Sequence, residues 1–330
     1  LHGFAAFVRV ASGPLPTLVG HRRGGALQAI APKTTLIDLQ YLGYPEAIAA
    51  CLLEGDGELA LVDPGPTTCL ATLERELAGH GIRLKDLTAL LLTHIHLDHA
   101  GASGVLVRKN PRLRVYVHER GAPHLADPSK LLASAERLYG DQMQRLWGEV
   151  APVPPENLQA LRGGETLPLG GRKIAVAYTP GHAAHHVSYF DASTGIAFVG
   201  DTCGLRYPGF SIVLPLTPPP DIDLEAWQRS WEQIRAWEPE RLFPTHFGPA
   251  GNVEEHLAQL AERTARWAEY ARQTLEQAGS DADRASRFLQ MVESELHREL
   301  PAEAVRRHLA GTAPEQCWYG LARYWRKREG

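Results

Sequence analysis

The sequence has few cysteines and no Cys-x-x-Cys pair. Its four, Cys51, Cys69, Cys203 and Cys317, are scattered over 330 residues. That spacing argues against a disulfide framework and against a cysteine-based zinc site. No apolar run approaches the length of a membrane span, so a membrane partner is not expected. No charge of one sign dominates. The net charge is −4 at pH 7, without the global basic footprint of a nucleic-acid binder. The first residues lack the basic-then-apolar order of a secretory signal, and a reducing, cytoplasmic setting is the expectation. The chain opens on Leu1 rather than methionine, which is compatible with sequence before it. Short repeats and low-complexity tracts are missing as well. What remains is an ordinary globular composition, 44% hydrophobic and 22% charged.

One stretch stands out against that background: Thr93-His94-Ile95-His96-Leu97-Asp98-His99-Ala100-Gly101. Three histidines and a carboxylate fall within six residues. The stretch follows an apolar run, Leu87 to Leu92, that reads as a buried strand. On an extended backbone His94, His96 and Asp98 point one way, while Ile95 and Leu97 point towards a core. His99 falls where the loop turns into a helix expected over Ala100 to Val107, with Asp98 as its cap. Imidazole and carboxylate donors together suit zinc, iron or manganese.

The rest of the pattern is mixed α/β. Residues 1–33 are dotted with glycine and proline and read as an edge strand or a loose arm. Short apolar runs at Leu36 to Leu39, Ala47 to Leu53 and Leu59 to Val62 predict strands, with Gly55-Asp56-Gly57 as a hairpin signal. Thr67 or Thr68 is placed to cap a helix running to about Gly79. A strand is expected over Leu113 to Val117, and one amphipathic helix over residues 129–148 as a partial cover of the histidine stretch. Strands resume at Lys173 to Tyr178, Val187 to Phe190, Ile196 to Val199 and Leu242 to Thr245. A helix is expected over Leu224 to Trp237. From Asn252 onwards the pattern is helical, broken near Gly279 and Pro301, and its charges nearly balance. Its last segment carries Trp318, Tyr319, Leu321, Tyr324 and Trp325, too aromatic for a solvated tail.

The histidine stretch resembles the His-x-His-x-Asp-His signature of the metallo-β-lactamase superfamily. Three further motifs follow in that family's order: Thr179-Pro180-Gly181-His182, Phe198-Val199-Gly200-Asp201, and Phe243-Pro244-Thr245-His246-Phe247-Gly248-Pro249. Each donor lies at the carboxyl end of an apolar run. The resemblance implies an α/β fold, the αββα sandwich. With the pattern above, the expected division is an N-terminal arm (1–33), a catalytic domain (34–252) and a C-terminal helical extension (253–330).

Carried over residue by residue, the resemblance implies that His94, His96 and His182 bind one divalent metal. Asp98, His99 and His246 would bind a second, and Asp201 would bridge both together with a water or hydroxide. Two neighbouring cations need such a shared anion, and they lower the pKa of bound water. Zinc is the expected metal, with iron or manganese as alternatives. Asp98 has an added catalytic role as proton acceptor and donor. Asp63 matches the family's first acidic position and is expected to orient a ligand histidine. His186 matches a frequent histidine position, with a supporting role. His185 stands where glycine is more usual, a departure at the local turn. Cys203 is expected as a small buried thiol. Tyr207 and Arg206 are candidate substrate contacts.

The implied function is a metal-dependent hydrolase that uses a bridging hydroxide on small esters, thioesters, lactones or phosphoesters. Class B β-lactamases lack a carboxylate at the Asp201 position in this resemblance, so penicillins are not the expected main substrate. Thioesterases similar to glyoxalase II share all seven donors, but no glutathione clamp is recognisable in the extension. The alternatives are a mononuclear iron oxygenase similar to persulfide dioxygenases, or a ribonuclease or non-catalytic binding member of the superfamily. A small molecule is the expected partner, with a homodimer left open.

Overall fold

Alternating residues of the strands divide between two faces, and that division builds the molecule. The computed structural model describes residues 27–329. The arm expected over 1–33 therefore lies outside the described residues up to residue 26. Seven strands form one sheet in chain order: β1 (Leu27–Ala31), β2 (Thr34–Asp38), β3 (Ala49–Glu54), β4 (Leu59–Val62), β5 (Ala89–Leu91), β6 (Arg114–His118) and β7 (Leu158–Leu161). A second sheet holds β8 (Thr166–Leu169), β9 (Arg172–Tyr178), β10 (Val187–Asp191), β11 (Ile196–Phe198) and β12 (Arg241–Phe243), ordered β12-β11-β10-β9-β8. β4 to β7 run parallel to one another, as do β11 and β12.

The inner faces of both sheets share one core. Ala49, Cys51 and Leu53 of β3 and Val62 of β4 meet Ile174, Tyr189, Phe198 and Phe243 of the second sheet. The residues in between, Ala50, Leu52, Leu61 and Leu90, face outwards into a second cluster. That period of two on doubly buried strands is why the strands read as continuous apolar runs.

Helices cover both outer faces. On the first sheet lie α1 (Leu70–Gly79), α2 (Leu97–Ala100), α3 (Ser103–Lys109), α4 (Ala122–Ala126), α5 (Ser129–Tyr139) and α6 (Met143–Trp147). Leu73 and Leu77 of α1 and Val105 and Leu106 of α3 fill that layer. On the second lie α7 (Leu224–Arg235), α8 (Val253–Leu275), α9 (Asp281–His297), α10 (Ala302–Thr312) and α11 (Pro314–Glu329). Trp227 and Trp231 of α7, Trp267 of α8, Phe288 of α9 and Trp318 of α11 are packed there into one apolar cluster. The result is the αββα sandwich with a C-terminal helical region. No described helix is long and apolar enough to cross a membrane.

The local structure departs from the sequence pattern in several places. The single helix expected over 129–148 is two, α5 and α6, separated at Gly140, whose φ of +52° suits glycine. The helix after the histidine stretch begins earlier, at Leu97, with His96 at its cap. Asp98 sits inside its first turn, so it does not cap the helix; it faces the helix dipole instead. Thr67 and Thr68 form a short 3-10 turn ahead of α1 rather than a side-chain cap. Their hydroxyls donate to the carbonyls of Glu149 (2.7 Å) and Leu146 (2.9 Å), which ties α6 to that turn. β7 and β8 were not apparent in the pattern. The break at Gly279 is real: Ser280 and Asp283 form a capping box that starts α9.

The aromatic segment at the C-terminus is packed. Trp318 and Leu321 are fully buried, and the Trp318 indole N–H donates to Thr274 Oγ1 at 2.7 Å. Trp318→Ala should cost roughly 3–5 kcal/mol of unfolding free energy, the range for a buried aromatic truncated to alanine. Denaturant unfolding followed by fluorescence measures it, and an unchanged midpoint would contradict the packing described.

Candidate metal centre

Five strand ends deliver the polar groups of the site to one edge of the sandwich. Asp63 follows β4, Thr93 and the histidine stretch follow β5, and His182 lies in the turn between β9 and β10. Asp201 follows β11 and His246 follows β12. Ile95 and Leu97, between the donors, are buried in the first sheet's helix-covered core. Their burial anchors the loop that carries His94, His96 and Asp98.

Two groups of side chains result. His94, His96, His182 and Asp201 form one, and Asp98, His99, Asp201 and His246 form the other. Within each group, one donor atom per residue lies within 4.8 Å of all the others. The Asp201 carboxylate faces both ways. Its Oδ2 lies 3.4 Å from His182 Nε2 and 4.0 Å from His94 Nε2. Its Oδ1 lies 3.2 Å from His99 Nε2 and 3.6 Å from His246 Nε2. Asp98 Oδ2 lies 3.3 Å from His246 Nε2 and 3.7 Å from His99 Nε2. Asp98 is also the open side of the cluster, a quarter exposed where Asp201 is nearly enclosed.

The outward hydrogen bonds turn the Nε2 atoms inward, where His182 Nε2 lies 3.1 Å from His96 Nδ1. His182 Nδ1 donates to the Leu216 carbonyl at 2.8 Å, and His246 Nδ1 to the Ala47 carbonyl at 2.8 Å. His99 Nδ1 donates to Asp63 Oδ2 at 2.8 Å. The Thr93 hydroxyl gives its proton to Asp63 Oδ2 at 2.7 Å, so it accepts from His94 Nδ1 at 3.1 Å. Each of these rings is thereby held in one orientation with Nε2 turned to the centre. His94 Nε2, His99 Nε2 and Asp201 Oδ1 are buried without a hydrogen-bond partner. Buried polar atoms are ordinarily satisfied, and a cation held here would satisfy these.

The electrostatics differ between the two groups. Burial, with His99 next in effect, holds His94 well below the usual histidine value. Burial and His182 bring His96 down to about 3. Burial also lowers His182. Burial works to raise Asp98 and Asp201, but the neighbouring His99 and His246 outweigh it. Asp98 is held at about 2 and Asp201 well below the carboxylate range. His99 and His246 are raised despite burial, because Asp201 and Asp98 face them. His94, His96 and His182 are thus held neutral, as metal ligands must be, whereas His99 and His246 favour the protonated form in the metal-free site and would release their protons to a bound cation.

Asp63 is fully buried and accepts four hydrogen bonds. Thr93 N–H reaches its Oδ1 at 2.8 Å, and Thr93, Thr245 and His99 reach Oδ2 at 2.7, 2.8 and 2.8 Å. It adopts a left-handed φ of +46°, a region that aspartate tolerates better than most residues. His186 lies behind His94, ring centroids 5.0 Å apart, with Nδ1 within bonding distance of the Thr179 and Thr202 hydroxyls at 3.0 and 3.1 Å. Gly200 has a φ of +45°, and a Cβ there would come within 2.7 Å of His186 Nε2. His185 does not take a left-handed conformation, so the turn needs no glycine at that position. It lines the cavity above the centre. Tyr207 lines the same cavity, whereas Arg206 does not. Cys203 is buried in the core beside the second sheet.

Sequence reasoning missed Thr93 and Thr245. Each immediately precedes a donor histidine, and that repeated Thr-His pair was the available signal. It also missed Tyr41 and Gly311 to Ala313 as cavity walls, whereas Trp147 lies in the segment expected to cover the site and lines the cavity.

The sequence profile of the metallo-β-lactamase superfamily matches residues 43–246. A metallo-β-lactamase fold-containing protein of Sulfurisphaera tokodaii is 28% identical over 225 residues, which cover 67% of this chain and 81% of that one. A hydroxyacylglutathione hydrolase of Thermosynechococcus vestitus is 29% identical over 217 residues, covering 64% and 69%. Among solved structures, a metallo-β-lactamase family protein from Thermus thermophilus aligns with a TM-score of 0.68 over 91% of this chain and 95% of that one. At 24% identity that likeness concerns the fold alone.

Asp63→Asn should lower metal affinity by roughly 10–100-fold, the cost of losing a partner that orients a ligand. Competition against a chromogenic chelator reads it, with circular dichroism to verify the fold. Wild-type affinity in the folded variant would show that Asp63 does not orient His99.

Proposed function

The chain belongs to the metallo-β-lactamase superfamily and is a metallohydrolase of that fold, and from that premise we propose that it cleaves small esters, thioesters, lactones or phosphoesters with two divalent ions, zinc first among them. His94, His96 and His182 hold one ion, Asp98, His99 and His246 hold the other, and Asp201 is shared. The observation that carries this reading is the two-sided Asp201 carboxylate, with a compact donor set against each oxygen. A single-ion oxygenase retains the same donors, and the metal content and activity without oxygen separate the two readings.

Bound there, two divalent ions supply a hydroxide nucleophile at neutral pH and Lewis-acid polarisation of a substrate oxygen. The protein's own groups do the rest. The Leu216 and Ala47 carbonyls, Thr93 and Asp63 hold their imidazoles in one orientation. Asp98 Oδ2 lies on the open side, where it would accept the proton of the hydroxide once that has added to the substrate and pass it to the leaving group. The cavity above is lined largely by apolar side chains, which favour an apolar substrate group over the reacting bond.

A panel of lactones, thioesters, phosphodiesters and phosphotriesters, tested with and without a chelator, examines the reading. Hydrolysis that is lost on chelation and regained with zinc is the expected result. No turnover of any class by the metal-loaded protein refutes it. Asp98→Asn should lower the turnover number by roughly 10²-fold or more, and excess metal should not restore it. Near-normal turnover in a fully loaded variant would remove Asp98 from the proton path.

A further inference from the structure

A cavity of about 430 Å³ opens directly over the centre, with His96, Asp98, Asp201 and His246 as its floor. Its walls come from distant parts of the chain. α5 presents Leu131, Ser134, Ala135 and Leu138 on one helical face. Tyr139 and Trp147 meet edge to face with ring centroids 5.1 Å apart, and Tyr41 stacks on Trp147 at 5.9 Å. Leu205, Leu216 and the run Pro218-Pro219-Pro220 close another side. The turn between α10 and α11 supplies Gly311, Thr312, Ala313 and Gln316.

That last wall is fixed in place. The Arg307 guanidinium lies 4.1 Å from the Tyr207 ring centroid and donates to Glu46 Oε2 at 2.6 Å. Gly311 passes so close to Tyr207 that a Cβ would lie 2.2 Å from its hydroxyl. The Thr217 hydroxyl donates to the Cys317 carbonyl at 3.3 Å, which ties the proline run to α11.

Charge on these walls is sparse. Apart from the histidines and the two floor carboxylates, the charged lining residues are Lys130 and Asp221, one of each sign. A glutathione thioester carries two carboxylates, and such anions are ordinarily met by clustered cations. The described walls offer one lysine. A pocket of this size, mostly apolar with few polar groups, selects by shape and by buried apolar area.

Resting on the hydrolase reading above, we infer that the cavity is an acyl pocket. The substrate class is a neutral ester, thioester or lactone with a medium-length aliphatic or aryl acyl group. The scissile carbonyl lies over the floor and the acyl chain lies between α5 and the α10–α11 turn. The C-terminal helices thus set specificity as well as stability.

The test uses the full chain loaded with zinc. Its first arm measures kcat/KM for p-nitrophenyl esters from acetate to decanoate, and for S-lactoylglutathione. Its second arm measures binding of acetate and octanoate by calorimetry, with no turnover. The inference expects kcat/KM to rise roughly fourfold per methylene up to a plateau, octanoate to bind far more tightly than acetate, and S-lactoylglutathione to fall below the octanoate ester. Ser134→Trp, which puts an indole into the cavity from a half-buried helix position, should lower the octanoate-to-acetate preference at least tenfold in both arms. Its melting temperature reports whether the fold is kept. For an unfolded variant, Leu131→Ala replaces it, with the same loss of preference at smaller size. Flat chain-length dependence with active acetate ester, or preference for S-lactoylglutathione, overturns the acyl pocket and leaves the hydrolase standing. Tight, length-dependent carboxylate binding with no hydrolysis of any ester supports the pocket and overturns the ester-hydrolase reading.

Discussion

The Asp63 carboxylate is the constraint on which the site depends. It is wholly buried, and a buried charge is tolerable only when its lone pairs are satisfied. Four donors satisfy it, and they come from three places: Thr93 at the end of β5, His99 on α2, and Thr245 at the end of β12. β5 and β12 belong to different sheets. One carboxylate therefore sets the relative position of the two sheets at the edge where the donors gather. Through Thr93 it also reaches His94, and through His99 it reaches Asp201. Removing it leaves three hydroxyl or imidazole donors without an acceptor in the core.

From that point the remaining architecture follows in layers. The shared inner core holds the sheets face to face, and the outer helices bury the alternate residues. The C-terminal helices lie on the second sheet, yet their turn at Gly311–Gln316 reaches the cavity over the donors. Arg307 links that turn to Tyr207 and to Glu46 in the loop after β2. The extension is thus coupled to the cavity walls by packing, by the Arg307–Glu46 ion pair and by the Thr217–Cys317 hydrogen bond.

Much of the site was legible because its donors sit in short local motifs. His94, His96, Asp98 and His99 are contiguous, and the remaining three donors each end an apolar run. Continuous apolar strands marked a sheet buried on both faces, which is what an αββα sandwich requires. The failures were of two kinds. Local rules misjudged element ends: Asp98 read as a cap but lies within the first turn, and the pattern over 129–148 hid the break at Gly140. β7 and β8, short and partly exposed, carried little periodic signal. The other kind concerned distance along the chain. Tyr41 and Gly311 to Ala313 join Tyr207 and the segment expected as a cover, Leu131 to Trp147, around one cavity, and no window of sequence contains them together.

The central claim is that two ions share Asp201. The most direct measurement is the metal content of the purified chain, reloaded with zinc, freed of excess metal and counted by mass spectrometry under native conditions. The account predicts two ions per chain in wild type, and loss of the paired state when Asp201 is replaced by alanine. A wild-type enzyme with a single ion per chain and full activity would contradict it.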